Sequence, residues 1–232
     1  VNATVIGKNA FEGCSSLEEV TMPVVEEIGE SAFENSGLKK FDIPASVYAV
    51  GKNAFKNSAM TEISLGLVKS IGEGAFEGTG LTSVVIPESV TLIGAGAFRS
   101  CIGLRNVTFA TTSLRVVDDY MFYGCISLER IALPEGVTRL GGYAFMNCEK
   151  LTDIDLPSTL ETITSEGSKD KYFKGYNFGY TFANCTSLKK IDLPDKVSYL
   201  GSFAFANSGL KSITLPESVK YIDSTAFAGC SN

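Results

Sequence analysis

Few side chains in this sequence could do chemistry: six cysteines, a scatter of carboxylates and lysines, and no histidine at all. Without histidine there is no Ser-His-Asp triad, no imidazole acid or base and no histidine-bearing metal site. Six cysteines suggest either three disulfides or a zinc site. Two carboxylates, Asp155 and Asp192, are the candidates for acid/base work, but no nucleophile or second acid/base group is marked around them. What any of these groups can do depends on the elements that position them.

The cysteines give the first clue. Cys14, Cys101, Cys125, Cys148, Cys185 and Cys230 each follow a phenylalanine by three residues. Those phenylalanines belong to a longer series: Phe11, Phe33, Phe55, Phe76, Phe98, Phe122, Phe145, Phe182, Phe205 and Phe227. Successive gaps are 22, 22, 21, 22, 24, 23, 37, 23 and 22 residues. A period near 22 lies in the leucine-rich-repeat range and outside that of helical-pair repeats. One turn reads Leu-x-x-Ile-x-Leu-Pro, a short polar link, then Val-x-x-Ile-Gly-x-x-Ala-Phe-x-x-Cys. Leu128 to Cys148 is a clean copy. All seven prolines close the first segment, which suits a residue that cannot donate a ladder hydrogen bond.

The expected fold is a mainly β leucine-rich-repeat solenoid of about ten turns of 22–23 residues. First segments alternate inward and outward and stack into a parallel sheet at about 4.8 Å per turn. Second segments form short strands or an irregular edge. The Ala-Phe stretch is expected to be a tight single helical turn. A glycine after the second segment (Gly29, Gly51, Gly72, Gly94, Gly141, Gly201) should supply a backbone shape that a Cβ resists. Turns with Cys three after Phe carry the next Leu six after it. Turns with Ser or Thr there carry Leu or Met five after it. This coupling implies two loop geometries.

In that register the cysteines form an interior column of parallel side chains, expected to be free and buried rather than paired or zinc-bound. No metal and no cofactor is expected.

The phased pattern LP-x-x-V-x-x-IG-x-x-AF-x-x-C resembles the BspA-like, or treponemal-type, leucine-rich repeats over essentially the whole chain. The resemblance implies a surface-exposed or secreted bacterial protein, adhering to host matrix proteins, receptors or other cells. It implies binding rather than catalysis. Local departures are Leu65-Gly66 and Phe109-Ala110 in place of Leu-Pro, and Asp118 and Met121 in the glycine and alanine columns.

Two places stand above the repeat background. The 37-residue gap inserts about fourteen residues, Ser165 to Phe178, in a stretch bounded at about 164–178. Insertions in solenoids emerge on one face, often the binding face, and Tyr172, Phe173 and Tyr176 are of the aromatic type enriched at interface hot spots. The alternative is a loop that folds its aromatics back onto the solenoid flank. The second place is the outward face of the first segments around Asp153, Asp155, Lys190 and Asp192. There Asp155 and Asp192 would be like-charged neighbours offset by Lys190.

The net charge of −6 argues against a nucleic-acid partner, whose phosphates call for Lys and Arg. No segment is long and apolar enough to insert in a membrane. Three glycosylation triplets, at Asn2, Asn106 and Asn184, carry little weight. The reading is a single domain over 1–232, cut mid-repeat at both ends, whose function is to bind a protein or glycan partner outside the cell. A structural spacer is the alternative.

Overall fold

A computed structural model describes residues 3–164 and 179–230. Sixteen short strands, numbered in chain order, fall into two series, and no helix occurs among the described residues. The second segments give β1 (Val5–Ile6), β2 (Glu27–Ile28), β4 (Ala49–Val50), β6 (Ser70–Ile71) and β8 (Leu92–Ile93), paired in that order. A second sheet continues with β10 (Val116–Val117), β12 (Arg139–Leu140), β14 (Thr162–Ile163), β15 (Tyr199–Leu200) and β16 (Tyr221–Ile222). The first segments pair only in twos: β3 (Lys40–Asp42) with β5 (Glu62–Ser64), β7 (Ser83–Ile86) with β9 (Asn106–Phe109), and β11 (Arg130–Ala132) with β13 (Asp153–Asp155). Every pairing is parallel, so the chain is a mainly β solenoid whose ten anchor phenylalanines bound about nine turns. The longer sheets belong to the second segments, the reverse of what the sequence suggests.

The anchor stretch holds the stack together. Backbone φ is positive at the residue two before and the residue two after every anchor phenylalanine, from 40° at Tyr180 to 74° at Gly229. This alternation turns the N–H groups at those sites and at the phenylalanine toward the next turn. In one such step, Asn35 N donates to Lys56 O (2.8 Å), Phe33 N to Ala54 O (2.7 Å) and Ser31 N to Lys52 O (2.8 Å). The intervening N–H groups bond inside their own turn, as Glu34 N does to Ser31 O (3.2 Å). The expected helical turn is therefore absent, because a helix would direct all its N–H groups back along its own axis.

The phenylalanine rings stack with centroids 5.0–5.7 Å apart, and those from Phe33 to Phe205 are fully buried. From Pro44 onward each proline carbonyl accepts from the Val or Leu three residues on (Val47 N to Pro44 O, 2.9 Å), closing the link. Link hydroxyls tie the turns together, as Ser89 Oγ does to Val68 O (2.8 Å) and Ser218 Oγ to Val197 O (2.6 Å). The glycine after the second strand is required by close approach rather than by φ. A Cβ on Gly51 would lie 2.5 Å from the carbonyl carbon of Gly29, and one on Gly94 2.6 Å from Glu73 N. Asp118 occupies this column just after β10, where the second-segment sheet divides.

Both loop geometries are present. In the longer one the Leu N–H returns to the Cys carbonyl, as at Leu104 to Cys101 (3.0 Å). In the shorter one the residue after Ser bonds across to the previous turn, as Gly209 N does to Cys185 O (3.0 Å).

Candidate binding surfaces

The cysteines are free, and four of them, Cys101, Cys125, Cys148 and Cys185, are fully buried. Each of these Sγ atoms donates to the anchor carbonyl one turn back: Cys101 to Phe76 O (3.1 Å), Cys125 to Phe98 O, Cys148 to Phe122 O and Cys185 to Phe145 O (each 3.2 Å). Burial pushes Cys101 and Cys185 up to about 12 and the other two well above the ordinary thiol value. Such thiols are poor nucleophiles and poor metal ligands. The expected interior column fails at its ends. Cys14 is exposed and Cys230 half-buried, because each lies in a terminal described turn with nothing stacked on its outer side. Where the column holds serine, Ser36 Oγ and Ser58 Oγ are buried without a hydrogen-bond partner.

The first-segment face is polar and partly self-neutralised. Lys40 faces Glu62 across the β3–β5 register at 3.7 Å, and Lys39 meets Glu18 at 3.0 Å. Lys190 Nζ bonds both carboxylate oxygens of Asp192 at 2.7 and 2.9 Å, which answers the charge of Asp192 locally. Asp153 and Asp155 are exposed on β13, opposite Arg130 and Ala132 of β11, while Asp192 bridges to Thr214. No ion pair reaches Asp153 or Asp155 among the described residues. Nor does any group of three or more His, Cys, Asp or Glu there converge as a metal site would require. An open hollow of about 510 Å³ lies at the start of this face, over Phe41, with Glu18, Lys39 and Lys40 at its rim. Exposed ion pairs of this kind contribute about 0–1 kcal/mol each.

The flank formed by the anchor turns changes character halfway along. Its first half is a run of charge pairs: Lys8–Glu30 (3.1 Å), Lys52–Glu73 (3.1 Å) and Lys56–Glu77 (3.4 Å). Arg99 then lies 4.0 Å from Glu77 and over the rings of Tyr120 and Tyr123, at 5.4 and 5.1 Å. Beyond it runs an aromatic ladder. Tyr120 stacks on Tyr143 (4.6 Å), Tyr143 on Tyr180 (5.2 Å) and Tyr180 on Phe203 (4.5 Å), all nearly parallel and all half-buried.

The four ladder residues stand two before their anchors, with φ of 59°, 61°, 40° and 58°. A bulky side chain in that region costs about 1–3 kcal/mol, and each stacked pair returns about 0.5–1.5. Alongside, Tyr199 stacks on Tyr221 at 5.4 Å. Asp223 accepts from Ser202 Oγ (2.7 Å) and Tyr199 Oη (3.3 Å), hydrogen bonds that hold its carboxyl below the ordinary aspartate value. The ladder was not foreseen from the sequence, although one column of the repeat spells it out.

Tyr172, Phe173 and Tyr176 lie outside the described residues. The chain leaves for that stretch at Thr164, after β14, and rejoins at Gly179, whose carbonyl accepts from Tyr143 N at 2.8 Å. The repeat therefore resumes in phase at Gly179-Tyr180-Thr181-Phe182.

Compared with known proteins, the sequence model of the BspA-type leucine-rich-repeat region matches in six copies, over residues 1–94, 69–170 and 176–232. The chain belongs to this family. Among solved structures, this BspA-type chain is similar to a leucine-rich repeat protein from Bacteroides ovatus. The two share 27% identity at a TM-score of 0.64, covering 98% of this chain and 80% of that one. A leucine rich cell surface protein from Faecalibacterium prausnitzii shares 26% identity at a TM-score of 0.53, covering 98% and 74%. The T. pallidum leucine-rich repeat protein, at 21% identity and a TM-score of 0.54, covering 84% and 76%, shares the fold. No curated protein matches. Among the described residues no helix is long and apolar enough to cross a membrane.

Proposed function

We propose that residues 1–232 form one solenoid domain acting as a non-catalytic binding module, secreted or held on a bacterial surface, that recognises a protein or glycan partner. Family membership supports it, as does the likeness to a protein described as a leucine rich cell surface protein. The observation that carries it is positional. The one long insertion, with Tyr172, Phe173 and Tyr176, interrupts the repeat beside the aromatic half of the anchor flank. Aromatic side chains of this kind dominate interface energetics. The first-segment face around Asp153, Asp155, Lys190 and Asp192 is the second candidate surface.

Excising Ser165–Phe178 and measuring binding to a panel of extracellular-matrix proteins and glycans tests the assignment. Removing the aromatic contacts is expected to weaken binding roughly tenfold or more while the solenoid stays folded. Unchanged binding by the folded, excised chain moves recognition to the first-segment face. A spacer role draws support from the hydrogen-bonded anchor stack, which continues across the insertion. Failure of every surface variant to alter any interaction would favour it.

A further inference from the structure

The first-segment sheet is interrupted between its first two turns. Residues 19–23 form no strand, and β3 pairs only with β5. The two stretches are joined at one end by Lys39 N to Glu18 O (3.3 Å) and at the other by Ser46 Oγ to Val25 O. Between those points no backbone bond links residues 19–23 to residues 40–44 among the described residues. Ile43 N donates to Ser64 O at 2.9 Å. The two-residue alternation of a strand therefore turns the backbone groups of Lys40 and Asp42 the other way, toward the gap. The gap is the hollow of about 510 Å³, inside the roughly 300–1,000 Å³ of ligand sites.

The side chains around it depart from their columns. In the nine first segments the residue three after the leading Leu or Met is Val or Ile eight times, and the ninth is Phe41. Its ring is pinned by tilted contacts with Phe33 (5.6 Å) and Phe55 (5.8 Å), and it lines the hollow together with half-buried Val20 and Met22. At the rim Glu18 takes up Lys39 and Glu62 takes up Lys40. No ion pair reaches Glu19 or Asp42 among the described residues, and both are exposed. Two uncompensated carboxylates thus stand above an apolar floor.

We propose that this hollow is a slot for an extended, basic peptide of a partner protein, which lies between residues 19–23 and β3 as an added strand. An unpaired strand edge is a template for another chain. Main-chain bonds to such an edge supply affinity, and pockets for alternate side chains supply specificity. At about 3.3 Å per residue, the stretch 19–23 matches about four or five residues of extended chain. Alternate side chains of that peptide face inward onto Val20, Met22 and Phe41, which selects apolar residues. The others face outward beside Glu19 and Asp42, which selects Arg or Lys, their stems lying along the apolar wall. A neutral glycan offers neither an amide ladder nor positive charge. The inference rests on the binding role proposed for the chain and gives one partner a chemistry.

The test titrates the isotope-labelled full chain with a capped hexapeptide of alternating valine and arginine, followed by NMR. The amide signals of Thr21, Lys40 and Asp42 should shift together and saturate. A titration that leaves all three unmoved would overturn the proposal. The net charge of −6 attracts any basic peptide, so strand pairing is isolated with the same peptide methylated on alternate backbone nitrogens. That peptide should bind roughly tenfold or more weakly, because main-chain donors to one wall are lost. Equal affinity of the two peptides would show attraction by charge alone and overturn the slot. Glu19→Gln combined with Asp42→Asn should weaken the parent peptide severalfold at low salt, and unchanged affinity would overturn the selection of basic residues. None of these readouts uses the insertion or the panel of matrix proteins and glycans, so loss of the slot and loss of the broader binding role are told apart.

Discussion

Raising the pH should unfold this protein through its interior thiols. Cys101 and Cys185 are held up to about 12 by burial, and Cys125 and Cys148 are shifted the same way. In the unfolded chain a thiol ionises near 8.5–9. For an acid whose folded pKa is the higher, the native state keeps protons that the unfolded state releases, so stability falls as pH rises through that window. At pH 10 a thiol moved from about 9 to about 12 contributes about 1.4 kcal/mol toward unfolding, so Cys101 and Cys185 together contribute about 3. Cys125 and Cys148 add to this in the same direction. That is a large part of the 5–15 kcal/mol that typically separates folded from unfolded. Urea denaturation under reducing conditions at pH 7.5, 9 and 10, followed by thiolate absorbance, measures the effect. Tyrosines also begin to ionise near pH 10, so the comparison is with Cys101→Ala/Cys185→Ala. This variant starts less stable but should lose less between pH 8 and 10. Equal losses in the two proteins, or none in either, would refute the reasoning.

Gly209→Ala and Gly37→Ala should each destabilise strongly, because the added Cβ would lie 2.1 and 2.2 Å from a backbone oxygen of the preceding turn. Gly80→Ala, whose Cβ would meet Met60 O at 3.3 Å, should be far milder in the same urea series. Phe145→Ala removes a fully buried ring stacked on both neighbours and should cost about 3–5 kcal/mol. Lys150→Ala, on an exposed loop, should change stability by less than about 0.5. Thiol titration of the native protein should find Cys14 reacting first and Cys230 more slowly, with all six reacting after unfolding without reductant.

The register is legible because each inward column largely repeats in type: Phe at the anchor, mostly Ala before it, and Ile, Val or Leu in the second strand. Periodic burial leaves that trace wherever a position is enclosed on all sides by its own copies. The anchor turn was misread because the Ala-Phe text has no strand alternation, and a short apolar run of that kind is ambiguous. The better signal lay two residues on. Gly13, Asn35, Asn57, Gly78, Gly124, Asn147, Asn184, Asn207 and Gly229 mark a left-handed position that asparagine and glycine tolerate. Cys14 was placed inside because the column rule treats every turn as covered on both sides, which a terminal described turn is not. Along the first-segment face the Lys190–Asp192 pairing was anticipated from charge alone.

The ladder shows how a repeat protein can change one surface column without disturbing its frame. The inward columns answer to packing and vary little, whereas the left-handed column before the anchor answers only to backbone shape and solvent. Asn, Ser and Gly fill it where nothing else is asked of it. Four consecutive aromatics there set a mild backbone penalty against stacking, and Arg99 covers the first ring. The cross-turn backbone bond is kept at Tyr120 (to Gly142 O, 2.9 Å), Tyr143 (to Gly179 O, 2.8 Å) and Tyr180 (to Ser202 O, 3.1 Å). A surface assembled this way can be changed one turn at a time, since in a repeat array each turn packs chiefly on its neighbours. Specialisation in such a chain is therefore best sought in columns where residue type departs from what the backbone alone would choose.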